Sequence, residues 1–223
     1  MANLTRITRF GMVNAYLVRE DDGFTVVDTM VPNSAKRIVR AAERAGVPIV
    51  RIVLTHAHGD HVGSLDDLAG MVSGAEVVIS ERDARLLAKD ESLDPDEPQD
   101  KLRGSYPGAE TRPTRTVNGG DRIGSLEVIE APGHTPGHIA LLDSRDRTLL
   151  CGDVFSTLGG VATSARVNPL FPLPGLATWH RPTELESARR LRDLEPARLA
   201  PGHGKVVDSP VGAMDAAIRR AGG

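Results

Sequence analysis

The chain has 223 residues, a formal net charge of −3 at pH 7 and one cysteine. This length allows a large hydrophobic core and is often one domain, so we expect a single domain over residues 1–223. A lone cysteine excludes an intrachain disulfide, and the absence of Lys/Arg runs interleaved with aromatic residues argues against a nucleic-acid partner. No apolar signal core follows the N-terminus and no apolar run could span a membrane, so we expect a cytoplasmic protein with no membrane partner.

The first part of the chain alternates predicted strands and helices. Strands are indicated by alternating or β-branched apolar residues, and helices by apolar residues spaced three and four apart. In chain order, these elements are a hairpin of residues 12–19 and 24–28, a helix from Asn33 or Ser34 to Ala45, a strand at 50–54, a helix at 65–69, a strand at 76–80 and a helix at 81–89. Parallel strands with helical connections are therefore expected here.

Residues 90–112 differ from the rest because they are rich in Asp, Glu, Pro and Gly and contain few large apolar residues. They predict a long surface loop, which is either a lid or a mobile insertion. The elements predicted after it are strands at 121–131, 139–144 and 148–151, a helix at 184–194, a strand at 198–200 and a helix at 209–220. Two groups of strands with helices outside them fit a two-sheet sandwich flanked by helices, in the α+β class.

The most informative motif is His56-Ala57-His58-Gly59-Asp60-His61, which directly follows the strand at residues 50–54. Imidazole and carboxylate are ligands that divalent metals of borderline softness prefer. Four such side chains within six positions can be presented together only if the backbone turns tightly, and Gly59 permits such a turn. The motif therefore predicts a metal site on the loop after a buried strand.

This motif resembles the HxHxDH signature of the metallo-β-lactamase-fold hydrolases. The resemblance extends to three later motifs that follow in the order this family uses, and it covers the chain from about Asn14 to His203. The matching residues are His134 in Pro132-Gly133-His134-Thr135-Pro136-Gly137-His138, Asp153 in Cys151-Gly152-Asp153, and His203 in Pro201-Gly202-His203-Gly204. An ordered set of motifs is more specific than any one of them.

The resemblance implies a four-layer αββα sandwich and a centre of two divalent metal ions. His56, His58 and His134 would hold one ion, Asp60, His61 and His203 the second, and Asp153 would bridge them. Zn²⁺ is expected, while Mn²⁺ or Fe²⁺ also suit nitrogen and oxygen ligands. A shared water of lowered pKa would supply the hydroxide that attacks a carbonyl, with Asp60 as the catalytic residue that orients it.

Several other residues are candidates for supporting roles. His138 is expected to orient a ligand, and Thr55 and Thr135 to hydrogen-bond ligand atoms. Asp28 is a candidate buttress of the ligand loop, although an Asp that ends a strand needs no such role. His180 is expected either to line a substrate cleft or to cap a helix. Cys151 is expected to be a small buried residue rather than a nucleophile.

The expected substrate is a small thioester, ester or lactone, because the segment at residues 155–179 is apolar and lacks helical periodicity. This segment forms either a wall of the site or part of the core. Lactonases of the family carry a Tyr shortly after the bridging Asp, where this chain has Phe155, and glyoxalase II enzymes have a longer C-terminal part. A β-lactam hydrolase of the same fold, or a non-catalytic metal-binding or sensor domain, remains the alternative. The oligomeric state is left open.

Overall fold

The structure is a computed structural model in which residues 3–222 are described. Its Cα positions divide the chain into two compact units. The first comprises Met1–Asp90 and Tyr106–Val117, and the second comprises Glu91–Ser105 and Asn118–Gly223. The single domain expected from the length stays a prediction.

The first unit contains a six-stranded sheet in which the strands follow one another in chain order. Its first two pairings are antiparallel and the remaining three are parallel. The strands are β1 (Leu4–Arg9), β2 (Val13–Arg19), β3 (Phe24–Val27), β4 (Ile49–Val53), β5 (Glu76–Ser80) and β6 (Arg115–Val117). The helices are α1 (Ala35–Arg44), α2 (Gly59–Val62), α3 (Leu65–Met71) and α4 (Glu81–Leu87).

The parallel pairing of β3 with β4 positions two of the candidate residues. Val27 is opposite Val53 in the register, so both strands end at the same edge of the sheet. Asp28 follows β3 and Thr55 follows β4, and the backbone N–H of Asp28 donates to the carbonyl of Val53 at 2.8 Å. The loop that carries the histidine motif therefore begins beside Asp28.

The second unit contains a six-stranded sheet of order β14-β13-β10-β9-β8-β7 and a separate two-stranded pair, β11 with β12. Its strands are β7 (Arg122–Ile123), β8 (Leu126–Glu130), β9 (Ile139–Asp143), β10 (Thr148–Gly152), β11 (Phe155–Ser156), β12 (Ala162–Thr163), β13 (Arg198–Pro201) and β14 (Val207–Asp208). Its helices are α5 (Leu173–Ala177), α6 (Arg181–Asp193) and α7 (Val211–Gly222).

The strand directions of this second sheet bring three later motifs to one edge. β10 runs parallel to β13, with Gly152 opposite Pro201, so the segments that follow both strands leave from the same edge. β9 is antiparallel to β10 and therefore begins where β10 ends. His134 lies between β8 and β9, Asp153 directly follows β10, and His203 follows β13.

The second unit is held by a core in which α6 and α7 pack on the sheet. Its buried members include Leu149, Phe155, Ala188, Leu191 and Met214. Complete burial of a large apolar side chain such as Leu, Phe or Met stabilises a fold by about 1.5–3 kcal/mol. The segment that leaves Asp153 is therefore anchored by Phe155, which is 0% exposed.

The predicted elements are present in the structure with ends shifted by a few residues. The strand predicted at 121–131 is instead a hairpin of β7 and β8, because Gly124 adopts a positive φ of 59° between them. Ser34 occupies the N-cap position of α1, but its side chain makes no capping hydrogen bond. The short elements β1, α2, β6, β11, β12, α5 and β14 were not predicted. Among the described residues, no helix has the length and apolar character needed to cross a membrane.

Candidate metal centre

The Asp28 carboxylate organises the histidine motif in the first unit. It accepts hydrogen bonds from the backbone N–H and the hydroxyl of Thr55, and its Oδ2 lies 2.8 Å from Nδ1 of His61. The Thr55 hydroxyl in turn lies 3.0 Å from Nδ1 of His56. Asp28 has a φ of 61°, an uncommon conformation for a residue other than glycine. The predicted contacts of Asp28 and Thr55 with the histidine loop are present, and their effect on metal binding stays a prediction.

The orientation of these rings determines which nitrogen each one offers. Because Nδ1 of His56 and of His61 faces an oxygen partner, Nε2 is the atom that each ring presents on its other side. The two ring centroids are 4.0 Å apart, and the His58 ring is 4.9 Å from that of His56. All three rings are buried, whereas 39% of the Asp60 side chain is exposed.

Two further side chains of the first unit contact this motif and were not predicted. The backbone N–H of Ala57 donates to Oδ2 of buried Asp83 at 2.9 Å. Asp83 lies in the first turn of α4, and its backbone N–H donates to the side chain of the N-cap residue Ser80. This is an ordinary helix start, so the local sequence does not indicate the contact with Ala57. The ring of Tyr106 lies 4.8 Å from that of His58, and nothing in the loop sequence indicated this contact.

In the second unit, the Asp153 carboxylate lies between two histidines. Its Oδ2 is 3.1 Å from Nε2 of His203 and 3.5 Å from Nε2 of His134. All three side chains are almost completely buried. The Phe171 ring packs beside His203, with the two ring centroids 5.2 Å apart.

The His134 loop is fixed by contacts from α6 and from the segment before it. Nδ1 of His134 lies 3.1 Å from the hydroxyl of Thr178, which also donates toward backbone carbonyls. Gly133 has a φ of 131°, and a Cβ there would lie 2.3 Å from the backbone nitrogen of Glu184, so no other residue fits. The loop is thus closely packed against the start of α6.

Glu184 is a buried acid beneath this loop and was not predicted to contribute to the site. Its carboxylate accepts from the Ser164 hydroxyl at 2.7 Å. Burial raises the pKa of Glu184 to about 8, against the hydrogen bonds from Ser164 and from the backbone N–H of His134. Glu184 lies three and four positions before Ser187 and Ala188, which are also buried on the inward face of α6. This is the ordinary spacing of a helix face, so the sequence does not indicate that Glu184 supports the His134 loop.

The remaining candidates have definite positions in the second unit. Nε2 of His138 accepts the backbone N–H of Asp153 at 3.1 Å, so His138 contacts a predicted ligand, and its orienting role stays a prediction. His180 is the N-cap residue of α6 and its side chain accepts from the Thr183 N–H, so the capping interpretation is confirmed. Cys151 is fully buried, and burial raises the pKa of its thiol well above the usual value, as expected for a packing residue. The role predicted for Thr135 stays a prediction.

The seven predicted ligands fall into two sets, one in each unit. His56, His58, Asp60 and His61 lie on the loop and short helix that follow β4, and His134, Asp153 and His203 lie at one edge of the second sheet. Neutral imidazoles and carboxylates in this combination suit divalent metal ions, so the donor chemistry fits such ions. Which residue binds which ion stays a prediction.

Comparison with known proteins gives a family match over most of the chain. Residues 8–203 match the family model described as the metallo-beta-lactamase superfamily. The chain is 47% identical over 210 residues to the uncharacterized protein YobT of Bacillus subtilis, covering 94% of this chain and 90% of YobT. It is 28% identical over 214 residues to the probable metallo-hydrolase YflN of the same organism, covering 86% and 81% of the two chains.

A third relative is named for its reaction. The chain is 35% identical over 150 residues to a hydroxyacylglutathione hydrolase of Rhodospirillum rubrum, and the match covers 65% of this chain but only 48% of that protein. Among solved structures, the BLEG-1 B3 metallo-beta-lactamase has a TM-score of 0.70 at 23% identity, covering 95% of this chain and 96% of that one. TTHA1623 in a di-iron-bound form has a TM-score of 0.67 at 24% identity, covering 95% and 97%.

These matches confirm the predicted family resemblance and the metallo-β-lactamase fold. They also confirm the expectation of a metal-dependent hydrolase. The identities to the solved structures are low, so those structures show the fold alone. Together with the His/Asp groups, the family match indicates divalent metal ions as cofactors.

Proposed function

The chain belongs to the metallo-β-lactamase superfamily, and we propose that it is a dinuclear-metal-dependent hydrolase of small acyl compounds, namely thioesters, esters or lactones. The observation that supports this most is the buried Asp153 carboxylate, whose Oδ2 is near Nε2 of both His134 and His203. A buried carboxylate needs a compensating positive charge. One oxygen shared by two histidines of different loops suits a bridge between two cations.

The proposed ligands follow the sequence prediction. His56, His58 and His134 would hold one ion, Asp60, His61 and His203 the other, and Asp153 both. We propose Zn²⁺, since buried neutral imidazoles dominate the set, while Mn²⁺ and Fe²⁺ are compatible with the same atoms. Two such ions, when bound, would lower the pKa of a shared water toward about 7, so that it is available as hydroxide, and would polarise a carbonyl.

The side chains around the ligands would keep their geometry fixed before the substrate binds. Asp28 and Thr178 hold Nδ1 of His61 and of His134, which selects the tautomer that offers Nε2. His138 holds the backbone N–H of Asp153. Asp60 is the most exposed of the proposed ligands that sit in the motif, so its carboxylate can accept a hydrogen bond from the attacking water and orient it.

The acyl substrate class is supported by the apolar residues just before α5 and within it, one of which contacts His203. Phe171 is 8% exposed and its ring contacts that of His203. Leu170, Leu173 and Leu176 are exposed near it in sequence, at 77%, 60% and 52%. Apolar surface beside a few polar groups is typical of small-molecule sites. A substrate with an apolar acyl part therefore fits better than a phosphodiester or a nucleic acid.

Residues 91–105, the part of the predicted loop that belongs to the second unit, contact the residues at the start of α6. Nε1 of Trp179 donates to the carbonyl of Asp100 at 2.9 Å, and Nε2 of His180 lies 3.6 Å from the Asp100 carboxylate. These two contacts tie residues 91–105 to the start of α6. We propose that this segment acts as a lid and that Trp179 is its anchor.

The test is a substrate panel assayed with and without a metal chelator. Purified protein is offered thioesters, activated esters, lactones, a β-lactam and a phosphodiester. We expect kcat/KM to be highest for one of the acyl classes and to fall to background after chelation. The relative named hydroxyacylglutathione hydrolase places glutathione thioesters first on the panel. Faster turnover of the phosphodiester or of the β-lactam would contradict the proposal, and no turnover at all would favour a non-catalytic metal-binding domain.

A pair of matched substitutions tests the apolar wall. Phe171→Ala removes a ring that packs on His203, whereas Phe10→Ala removes an equally large ring that is 70% exposed. We expect the first variant to flatten the dependence of kcat/KM on acyl chain length and the second to leave it unchanged. If both variants keep the wild-type dependence, Phe171 is not part of the acyl site.

A further inference from the structure

A concave surface separate from the predicted metal ligands, which we call the basic cleft, lies entirely within the first unit. It has a volume of about 310 Å³ and is lined by Arg9, Asn33, Lys36, Arg37, Arg40 and Arg44. Five of these six side chains are cationic, and within residues 3–222 none of the five forms an ion pair with a carboxylate. This concentration of charge contrasts with the formal net charge of −3 of the whole chain.

The charges on α1 are not explained by the stability of that helix. Lys36, Arg40 and Arg44 follow one another at intervals of four residues, and like charges at this spacing destabilise a helix. Lys36 and Arg37 lie in the first turn, where the helix dipole disfavours cations, and the first turn contains no acidic residue. Only Arg44, in the last turn, is favourably placed. The inward face of the helix is satisfied separately by buried Ala35, Ile38 and Ala42.

Arg9 brings a further positive charge from a different element. It ends β1, and its guanidinium stacks over the ring of Phe10, with 4.9 Å between Cζ and the ring centroid. Its Nε is buried and has no hydrogen-bond partner among the described residues. The positive side chains therefore converge on the cleft from a strand and a helix, rather than following one helix face.

We propose that the basic cleft binds a small soluble compound that carries two or more linked phosphate groups. Guanidinium groups present planar pairs of N–H donors that match phosphate oxygens, and four of the five cations are arginines. The amide of Asn33 adds donors to the lining, and the N-terminal end of α1, which follows Asn33, adds positive potential. The inference does not depend on the proposed metal-dependent reaction, because the cleft contains none of the predicted metal ligands.

A compact polyphosphate fits this surface better than larger polyanions. The cleft is concave and of limited volume, and no aromatic side chain lines it to stack on a base. Its lining is almost entirely charged, so the ligand's charge would supply the affinity. Binding of this kind weakens as salt is added, because the cationic side chains of α1 that line the cleft are exposed.

The experiment is calorimetric titration of the full-length protein with inorganic tripolyphosphate. The compared variants are Arg37→Gln/Arg40→Gln, which removes two charges from the cleft, and Arg189→Gln/Arg190→Gln, which removes two exposed charges from α6. Glutamine retains helix propensity, and all four positions are exposed, so folding is preserved. Metal content is measured in each sample, since tripolyphosphate also chelates metals.

We expect saturable binding to wild type that weakens with salt. The cleft variant should bind at least about tenfold more weakly at unchanged metal content, whereas the α6 variant should remain within about twofold of wild type. Absence of saturable binding to wild type would overturn the proposal. So would equal binding by the cleft variant, or tighter binding of anionic lipid vesicles or of a single-stranded oligonucleotide than of tripolyphosphate.

Discussion

The Asp28 carboxylate lies 2.8 Å from Nδ1 of His61, although the two residues are 33 positions apart in the chain. The same carboxylate accepts two hydrogen bonds from Thr55, whose hydroxyl contacts His56. One side chain at the end of β3 thus orients two of the proposed metal ligands.

We therefore expect Asp28→Asn to weaken metal binding by about 10–100-fold, because the amide is uncharged and offers one oxygen instead of two. The affinity is measured by competition with a chromophoric chelator. Asp22→Asn is the matched control, since Asp22 pairs with Arg51 at an exposed position. Equal metal affinity of the Asp28 variant and wild type would show that Asp28 does not support the ligands.

Asp60 and His138 should differ in the size of their effects on turnover. Asp60→Ala is expected to lower kcat by several orders of magnitude, because it removes a proposed metal ligand and the group that orients the attacking water. His138→Ala should lower kcat by only about 10–100-fold, because His138 acts through the backbone of Asp153. Steady-state kinetics with the best substrate of the panel make the comparison. Near-normal kcat in Asp60→Ala with intact metal content would refute the assigned role.

Glu184 should matter for the position of the His134 loop rather than for its own charge. Glu184→Gln keeps an acceptor for Ser164 and is expected to change the free energy of unfolding by less than about 1 kcal/mol. Glu184→Ala leaves buried donors unsatisfied and should lower it by about 1–3 kcal/mol. Chemical denaturation measures both, with exposed Glu186→Ala as the control. Equal stability of the two Glu184 variants would contradict this account.

Cys151 should be unreactive in the native protein. The side chain is fully buried, and burial raises the pKa of the thiol, so almost no thiolate exists near pH 8. A colorimetric disulfide reagent should label the native protein negligibly and should label one thiol per chain after denaturation. Rapid labelling of the folded protein would mean that Cys151 is accessible.

The predicted metal ligands could be identified from the sequence because they occur in short, recognisable motifs. His56, His58, Asp60 and His61 are adjacent in the chain, and His134 and His203 each follow a Pro-Gly pair at a strand end. The direction of each strand then determines where these motifs go, and strand patterns are visible in sequence. The order of the motifs supplied the family.

The residues that sequence reasoning missed reach the site from other elements. Asp83 belongs to α4, Thr178 precedes α6, and Tyr106 lies in a loop without periodicity. Each is an ordinary capping or loop residue in its local sequence. Their roles come from tertiary contacts 26 residues away for Asp83 and 44 for Thr178, which local patterns do not encode.

The measurement that tests the central claim most directly is the activity of the protein as a function of the number of metal ions bound per chain. Metal is removed with a chelator, Zn²⁺ is then added in known amounts, and bound metal and kcat/KM are followed together. We predict that activity rises until two ions are bound per chain and that both ions are lost in Asp153→Ala. Full activity at one bound ion per chain would contradict the dinuclear mechanism.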